Sequence, residues 1–125
     1  MVALKHAGLV CATEENADRF YQELLGLIKN SPSILPRSLS KAIFGIDSDL
    51  TMINYMKEGL HFEIFIQDQK KKNSGTIEHL CIEVENRQEF IERCRSMGVT
   101  LNQIQKGEKK LVFITDFDGN LFEVK

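Results

Sequence analysis

The same pair of residue types occurs twice in this chain, at matching places. His6 opens one strand-like apolar run and His79 opens another. In each half a glutamate follows much later, four residues after a turn glycine, and these glutamates are Glu63 and Glu123. A histidine-then-glutamate order that recurs with its turn glycine predicts one module present in two copies. Two such modules face to face would bring two imidazoles and two carboxylates to one point.

A helix start and a helix stop also recur behind each histidine. Thr13 and Asn86 are the expected N-caps, and each lies seven residues after its histidine. The helical apolar stripes end at Gly26 and Gly98, which lie 20 and 19 residues after the respective histidine. Agreement at these landmarks favours a true duplication over a chance resemblance of the two halves.

Strand-like runs follow each helix, so each module is predicted to be β-α-β-β-β. The segments Lys57-Glu58-Gly59 and Asp116-Phe117-Asp118-Gly119 predict the turns that lead into the two last strands. The expected fold class is therefore α+β, with two βαβββ modules.

The expected organisation is a single domain, 1–125, made of the two modules and a short connection. Module one covers 1–68, a solvated linker covers 69–75, and module two covers 76–125. Module one is the longer copy, and its additional residues lie around 30–46, where a short helical pattern is also present.

The alternation of side chains along a strand tests the idea of a metal site. Glu63 falls opposite the apolar residues Phe62 and Ile64, and Glu123 falls opposite Phe122 and Val124. The two histidines fall on the same side as the glutamates by the same counting. A single strand His or Glu is more often a solvated surface residue. The matched set predicts metal ligation by His6, Glu63, His79 and Glu123.

Two imidazoles and two carboxylates suit a borderline divalent metal, and zinc, nickel, cobalt, manganese and iron(II) all fit this donor set. Such a metal polarises a carbonyl oxygen. A carboxylate beside it can move a proton on the adjacent carbon. The expected partner is therefore a small-molecule substrate.

Bulk properties exclude several other functions. The formal net charge of −2 gives no general attraction to nucleic acid or to a membrane surface. No apolar run approaches the roughly 18 residues of a membrane span, and the N-terminus lacks the pattern of a signal peptide. The three cysteines are odd in number and fall in apolar-periodic segments, which favours reduced thiols in a cytoplasmic protein, and the lack of a Cys-x-x-Cys pair argues against a zinc knuckle or a dithiol redox site.

Three segments carry a resemblance to a known family: His6–Val10, Phe20–Leu27 and Asp116–Glu123. On these segments the chain resembles the vicinal oxygen chelate superfamily, which includes glyoxalase I, methylmalonyl-CoA epimerase, fosfomycin-resistance proteins and extradiol dioxygenases. The resemblance extends from Lys5 to Val124. It implies paired βαβββ modules whose mixed sheets curl into a cup around a metal, and it implies a homodimer, with modules paired within one chain or across two.

The four predicted ligands are similar to the His/Glu/His/Glu set of glyoxalase I. This resemblance implies a lactoylglutathione lyase-like enzyme, in which Glu123 is the proton-transfer base and Glu63 its symmetric partner. The chain departs from bacterial glyoxalase I at Val10, where an Arg that contacts glutathione is expected, and at Gln67, where an Asn is expected. Two alternatives therefore stay open, an acyl-CoA epimerase and a non-catalytic small-molecule binding protein of the same fold.

Overall fold

The computed structural model describes residues 1–68, 75 and 77–125. The chain divides into two compact units, Met1–Gln69 and Lys70–Lys125. The predicted linker at 69–75 lies outside the described residues except for Gly75. Each unit contains a mixed sheet and at least one helix, so the predicted α+β class is confirmed. Within the described ranges, no helix is long and apolar enough to cross a membrane.

Unit 1 is a five-stranded sheet with two helical segments. Its elements are β1 (Ala7–Cys11), α1 (Glu14–Ala17, continued by the wider π-helical turns of Asp18–Leu24), β2 (Ile28–Lys29), β3 (Ser33–Leu35), α2 (Arg37–Phe44), β4 (Leu50–Lys57) and β5 (Leu60–Ile66). The strand order is β1-β5-β4-β2, and β3 also pairs with β4. The first strand pairs with the last in parallel, and the other pairings are antiparallel.

Unit 2 repeats this plan in a shorter form. Its elements are β6 (His79–Ile82), α3 (Arg87–Ser96), β7 (Thr100–Lys106), β8 (Lys109–Thr115) and β9 (Leu121–Val124). The strand order is β6-β9-β8-β7. Here too the first strand pairs with the last in parallel, and β8 is antiparallel to both of its neighbours. The two units therefore share one topology, as the duplicated sequence pattern predicts.

The predicted helix boundaries are confirmed in both units. The Thr13 side chain accepts a hydrogen bond from the Asn16 backbone N–H at 3.1 Å, and Asn86 accepts one from the Glu89 N–H at the same distance. Each bond satisfies a backbone donor that the first turn of a helix leaves unpaired. Gly26 has φ +72°, the left-handed conformation that ends a helix most easily at glycine.

Module one differs from the predicted βαβββ order in its middle. The strand expected after α1 is divided into two short strands, β2 and β3, and helix α2 then precedes β4. Pro32 lies between the two strands and Pro36 lies directly before α2. Proline has no N–H for a sheet ladder and is well tolerated at a helix start, so these positions account for both boundaries.

Alternate strand residues face the helix in each unit and form the core. In unit 1 the Tyr21 ring of the helix contacts the rings of Tyr55 and Phe62 at centroid distances of 5.7 and 5.3 Å. In unit 2 the buried side chains of β9 are Phe122 and Val124. Glu63 and Glu123 alternate with these buried residues and therefore lie on the sheet face away from the helix. We call this side the ligand face.

Candidate metal centre

Strand pairing aligns each predicted glutamate with the strand that follows the predicted histidine. In unit 1 Glu63 pairs with Gly8, which is two residues after His6. In unit 2 Glu123 pairs with Cys81, which is two residues after His79. Because side chains two residues apart share a face of a sheet, each histidine and its glutamate belong to the same face. The His/Glu pair thus occupies one register position in both units.

The pair in unit 1 is in direct contact. His6 Nε2 lies 3.2 Å from Glu63 Oε1, and the two side chains are 44% and 24% exposed. Two donors bound to one ion at about 2.1 Å are about 3.0 Å apart at a right angle and about 3.4 Å apart in a tetrahedron. The observed separation lies between these values. The two atoms form an ion-pair contact whose spacing also fits neighbouring ligands of a single ion, and both side chains remain accessible from solvent.

His79 in unit 2 is oriented by a backbone contact. Its Nδ1 lies 2.7 Å from the carbonyl oxygen of Ile77, and its ring meets the edge of Phe113 at 5.8 Å. A carbonyl oxygen can only accept, so Nδ1 carries the proton, and the neutral ring keeps its lone pair on Nε2. Metal-binding histidines are commonly held by such a bond from the other ring nitrogen. Nε2 of His79 is therefore the nitrogen that could bind a metal.

His61 shares the ligand face with Glu63 but has a different partner. Its Nε2 lies 2.6 Å from Asn54 Oδ1, and its ring centroid lies 5.4 Å from that of His6. An amide oxygen accepts, so Nε2 of His61 donates to Asn54, and the lone pair of the neutral ring lies on Nδ1. Asn54 pairs directly with Glu63 across β4 and β5, a contact that the sequence pattern did not reveal.

The structure thus brings two of the predicted ligands, His6 and Glu63, into contact and gives the other two the equivalent register. Among residues 1–68, 75 and 77–125, no three His, Cys, Asp or Glu side chains form a group that could hold a metal ion. The four-residue ligand set remains a prediction.

An apolar cavity of about 340 Å³ lies beside the His6–Glu63 pair in unit 1. It is lined by His6, Gly8, Leu9, Val10, Phe44, Ile46, Leu50, Glu63, Phe65 and Gln67. Phe44, at the end of α2, meets Phe65 edge-on at 5.2 Å on the ligand face. The additional residues of module one therefore supply part of the wall of this cavity.

A groove of about 810 Å³ lies beside Glu123 in unit 2 and has the opposite character. It is lined by Arg87, Lys106, Glu108, Lys109, Lys110, Leu111, Glu123 and Lys125. We call it the basic groove. The sequence signal for this groove is the close spacing of Lys106, Lys109 and Lys110 around a turn glycine, which the predicted site residues do not include.

Comparison with known proteins finds similarity in structure only. No family model matches the sequence, and no curated protein does. A glyoxalase family protein from Enterococcus faecalis superposes with a TM-score of 0.73 at 22% identity, over 98% of this chain and 95% of that one. A glyoxalase family protein from Bacillus cereus gives a TM-score of 0.73 at 17% identity, over 99% and 93% of the two chains.

A third similar structure is a mutant of the fosfomycin resistance protein FosX from Listeria monocytogenes. Its TM-score is 0.72 at 19% identity, over 99% of this chain and 89% of that one. That protein is complexed with Mn(II) and a dihydroxypropylphosphonic acid. This chain has the vicinal oxygen chelate fold. The two βαβββ modules implied by the three resembling segments are thereby confirmed.

Within the vicinal oxygen chelate fold, position 10 is where glyoxalase I is expected to carry its glutathione-contacting Arg. Val10 is half-buried and lines the apolar cavity of unit 1. Gln67, at the position expected for an Asn, lines the same cavity. Among the described residues that line this cavity none is a lysine or an arginine, and its wall favours an apolar group.

Proposed function

We propose that this protein is a metal-dependent lyase or isomerase of the glyoxalase type. It transfers a proton next to the carbonyl of a small keto or thioester substrate. The observation that carries the proposal is the identical register of the two His/Glu pairs, His6 with Glu63 and His79 with Glu123. Packing of the two modules does not require either pair, because these four residues lie outside the cores of the units.

The proposed metal site consists of His6, Glu63, His79 and Glu123, and the metal is zinc, nickel, cobalt, manganese or iron(II). Two features support the fit of these residues to such an ion. The contact of 3.2 Å between His6 Nε2 and Glu63 Oε1 matches the spacing of two ligands of one ion. The bond from His79 Nδ1 to a backbone carbonyl leaves Nε2 available. We further propose a homodimer, in which the four ligands of each metal come either from one chain or from both chains.

A divalent metal bound there supplies Lewis-acid polarisation of the substrate carbonyl. Glu123 acts as the general base, taking the proton from the carbon next to that carbonyl and returning it to the substrate. Glu63 is its symmetric partner. The apolar cavity beside Glu63 receives an apolar part of the substrate and keeps it out of water.

Metal analysis combined with a hydrogen-exchange assay tests this proposal. The purified protein should hold a stoichiometric divalent metal, and a panel of keto hemithioacetals and acyl thioesters should include a substrate that exchanges its α-proton with deuterated solvent. Glu123→Gln, assayed at saturating metal, should slow exchange by about 100-fold or more, because the amide cannot accept the proton. Glu63→Gln should slow it less. Full exchange by the Glu123→Gln variant would disprove the role of this residue.

A second candidate, a non-catalytic binding protein, is favoured by one observation, the well-formed apolar cavity of unit 1. A protein of this kind needs no metal to hold its ligand. Thermal stabilisation by small apolar carbonyl compounds, equal in metal-loaded and metal-free protein and without any proton exchange, would support this candidate over the enzyme.

A further inference from the structure

The basic groove of unit 2 concentrates positive charge beside the proposed general base. Five of its eight lining residues are cations, namely Arg87, Lys106, Lys109, Lys110 and Lys125, and two are carboxylates. Residues 77–125 as a whole carry seven basic and nine acidic side chains. Five of the seven basic side chains of this segment therefore lie in one groove, although the segment as a whole has a negative net charge.

Two carboxylates, Glu108 and Glu123, offset only part of the charge of the five cations. In the part of the chain that the structure describes, none of the five forms an ion pair, whereas Arg37 and Arg95 elsewhere do. The five cations of the groove exceed its two carboxylates by three charges, so their proximity has an electrostatic cost in the absence of an anion. Arg87 is half-buried, which restricts the water that could screen it.

The dimensions of the groove indicate the size of the anion. Phe113 of β8 pairs with Glu123, and Lys109 lies four residues earlier on the same strand. At about 3.3 Å per residue, the groove runs about 13 Å from Glu123 to the lysines of the β7–β8 turn. A single phosphate at one end of this length would meet only some of the cations. A chain of phosphate groups could meet most of them.

We propose that the basic groove binds the phosphorylated tail of the substrate, and that this tail carries two or more phosphate groups. The inference rests on the proposed function, since it places the tail in the groove and the reacting carbon near Glu123. It narrows the substrate class to carbonyl compounds or thioesters attached to a polyphosphorylated carrier.

The test uses inorganic tripolyphosphate as the probe and full-length protein stripped of metal by a chelator, since the probe itself binds metals. Calorimetric titration at low salt should give one site for each chain, and orthophosphate should bind more weakly. Lys109→Gln/Lys110→Gln should weaken tripolyphosphate binding about tenfold, since exposed ion pairs contribute up to about 1 kcal/mol each. A rise in salt concentration should also weaken tripolyphosphate binding by the parent protein, because salt screens the charges of the groove.

Lys41→Gln/Lys57→Gln is the matched control, because it removes two exposed lysines that do not line the groove and changes the net charge equally. It should bind tripolyphosphate within about twofold of the parent. Equal loss in both double variants would mean a general charge effect and would overturn the proposal, as would absence of binding. Metal content is measured separately without phosphate. Protein that holds no metal but still binds tripolyphosphate would refute the proposed metal-dependent function and would leave the proposed phosphate site in the groove intact.

Discussion

The two units have the same backbone plan but opposite chemistry beside their glutamates. Leu50 lies four residues before Asn54, which pairs with Glu63, and Lys109 lies four residues before Phe113, which pairs with Glu123. Leu50 and Lys109 are therefore equivalent positions. By the same counting Phe65 and Lys125 are equivalent, each two residues after its glutamate. An apolar cavity and a basic groove thus occupy matching places in the two copies.

The difference shows which positions a duplicated fold can change freely. The parallel pairing of first and last strand, the helix caps and the His/Glu register are the same in both units, since each depends on backbone geometry or on the proposed ligand set. The residues that flank each glutamate on the ligand face lie on the side of the sheet away from the first helix of each unit. They can therefore diverge without loss of the strand order that the two units share.

The largest expected effect is on metal binding, and it tests whether the two His/Glu pairs serve one site. His6→Ala and His79→Ala should each lower metal affinity by more than about 100-fold, since loss of a ligand costs at least as much as loss of its supporting contact. His61→Ala is the control, because His61 is not one of the four proposed ligands and its Nε2 already donates to Asn54, and it should change affinity less than about tenfold. Metal competition titrations measure all three. If His6→Ala keeps the metal affinity of the parent while His79→Ala loses it, the contact between His6 and Glu63 is a surface ion pair and not part of the metal site.

Exchange of the diverged residues tests the comparison in a second way. Leu50 is 5% exposed, so Leu50→Lys should destabilise the protein by about 3 kcal/mol, because a lysine ammonium would enter an apolar wall. The reciprocal change at the exposed position, Lys109→Leu, should alter the free energy of unfolding by no more than about 0.5 kcal/mol. Urea denaturation measures both. Similar costs for the two changes would contradict the assignment of one wall as core-like and the other as solvated.

The sequence predicted those parts of the fold that depend on local chemistry. The caps at Thr13 and Asn86, the helix-ending Gly26 and the alternation around Glu63 all follow from neighbouring residues, and the structure confirms them. The division of the strand after α1 was not predicted, although Pro32 marks its position. The pairing of that segment with β4 is a long-range contact that local propensity does not encode.

The candidate site was predicted unevenly for a related reason. The repeated spacing identified His6 and Glu63 as a pair, and these two are in contact. The role of Asn54 as the partner of His61 depends on cross-strand register, which the sequence does not state. The basic groove also escaped prediction, because it joins Arg87 at a helix start to Lys125 at the end of the last strand. Residues so far apart in sequence become neighbours only in the folded unit.

The turns before the two last strands are a further point of difference between the units. In unit 2 the buried Asp116 carboxylate accepts hydrogen bonds from the backbone N–H groups of Asp118 and Asn120, at 2.9 and 2.8 Å. Asp116→Ala should therefore lower the free energy of unfolding by about 2 kcal/mol, because it leaves these buried donors unpaired. Asp116→Asn keeps one acceptor oxygen and should cost less. Thermal and urea unfolding measure both, and an equal cost would show that the backbone bonds do not determine the stability of the turn.

The corresponding turn of unit 1 has no such carboxylate and uses two residues with positive φ. Glu58 and Gly59 have φ of 45° and 85°, and Glu58 is the sole non-glycine residue with positive φ in the described ranges. Asparagine adopts this conformation more readily, so Glu58→Asn should raise the free energy of unfolding by about 0.5–1 kcal/mol. The control is Glu108→Asn in the β7–β8 turn, where the positive φ falls on Gly107 instead and no gain is expected. Equal stabilisation in the two variants would attribute the effect to the lost charge, and the backbone explanation would then be wrong.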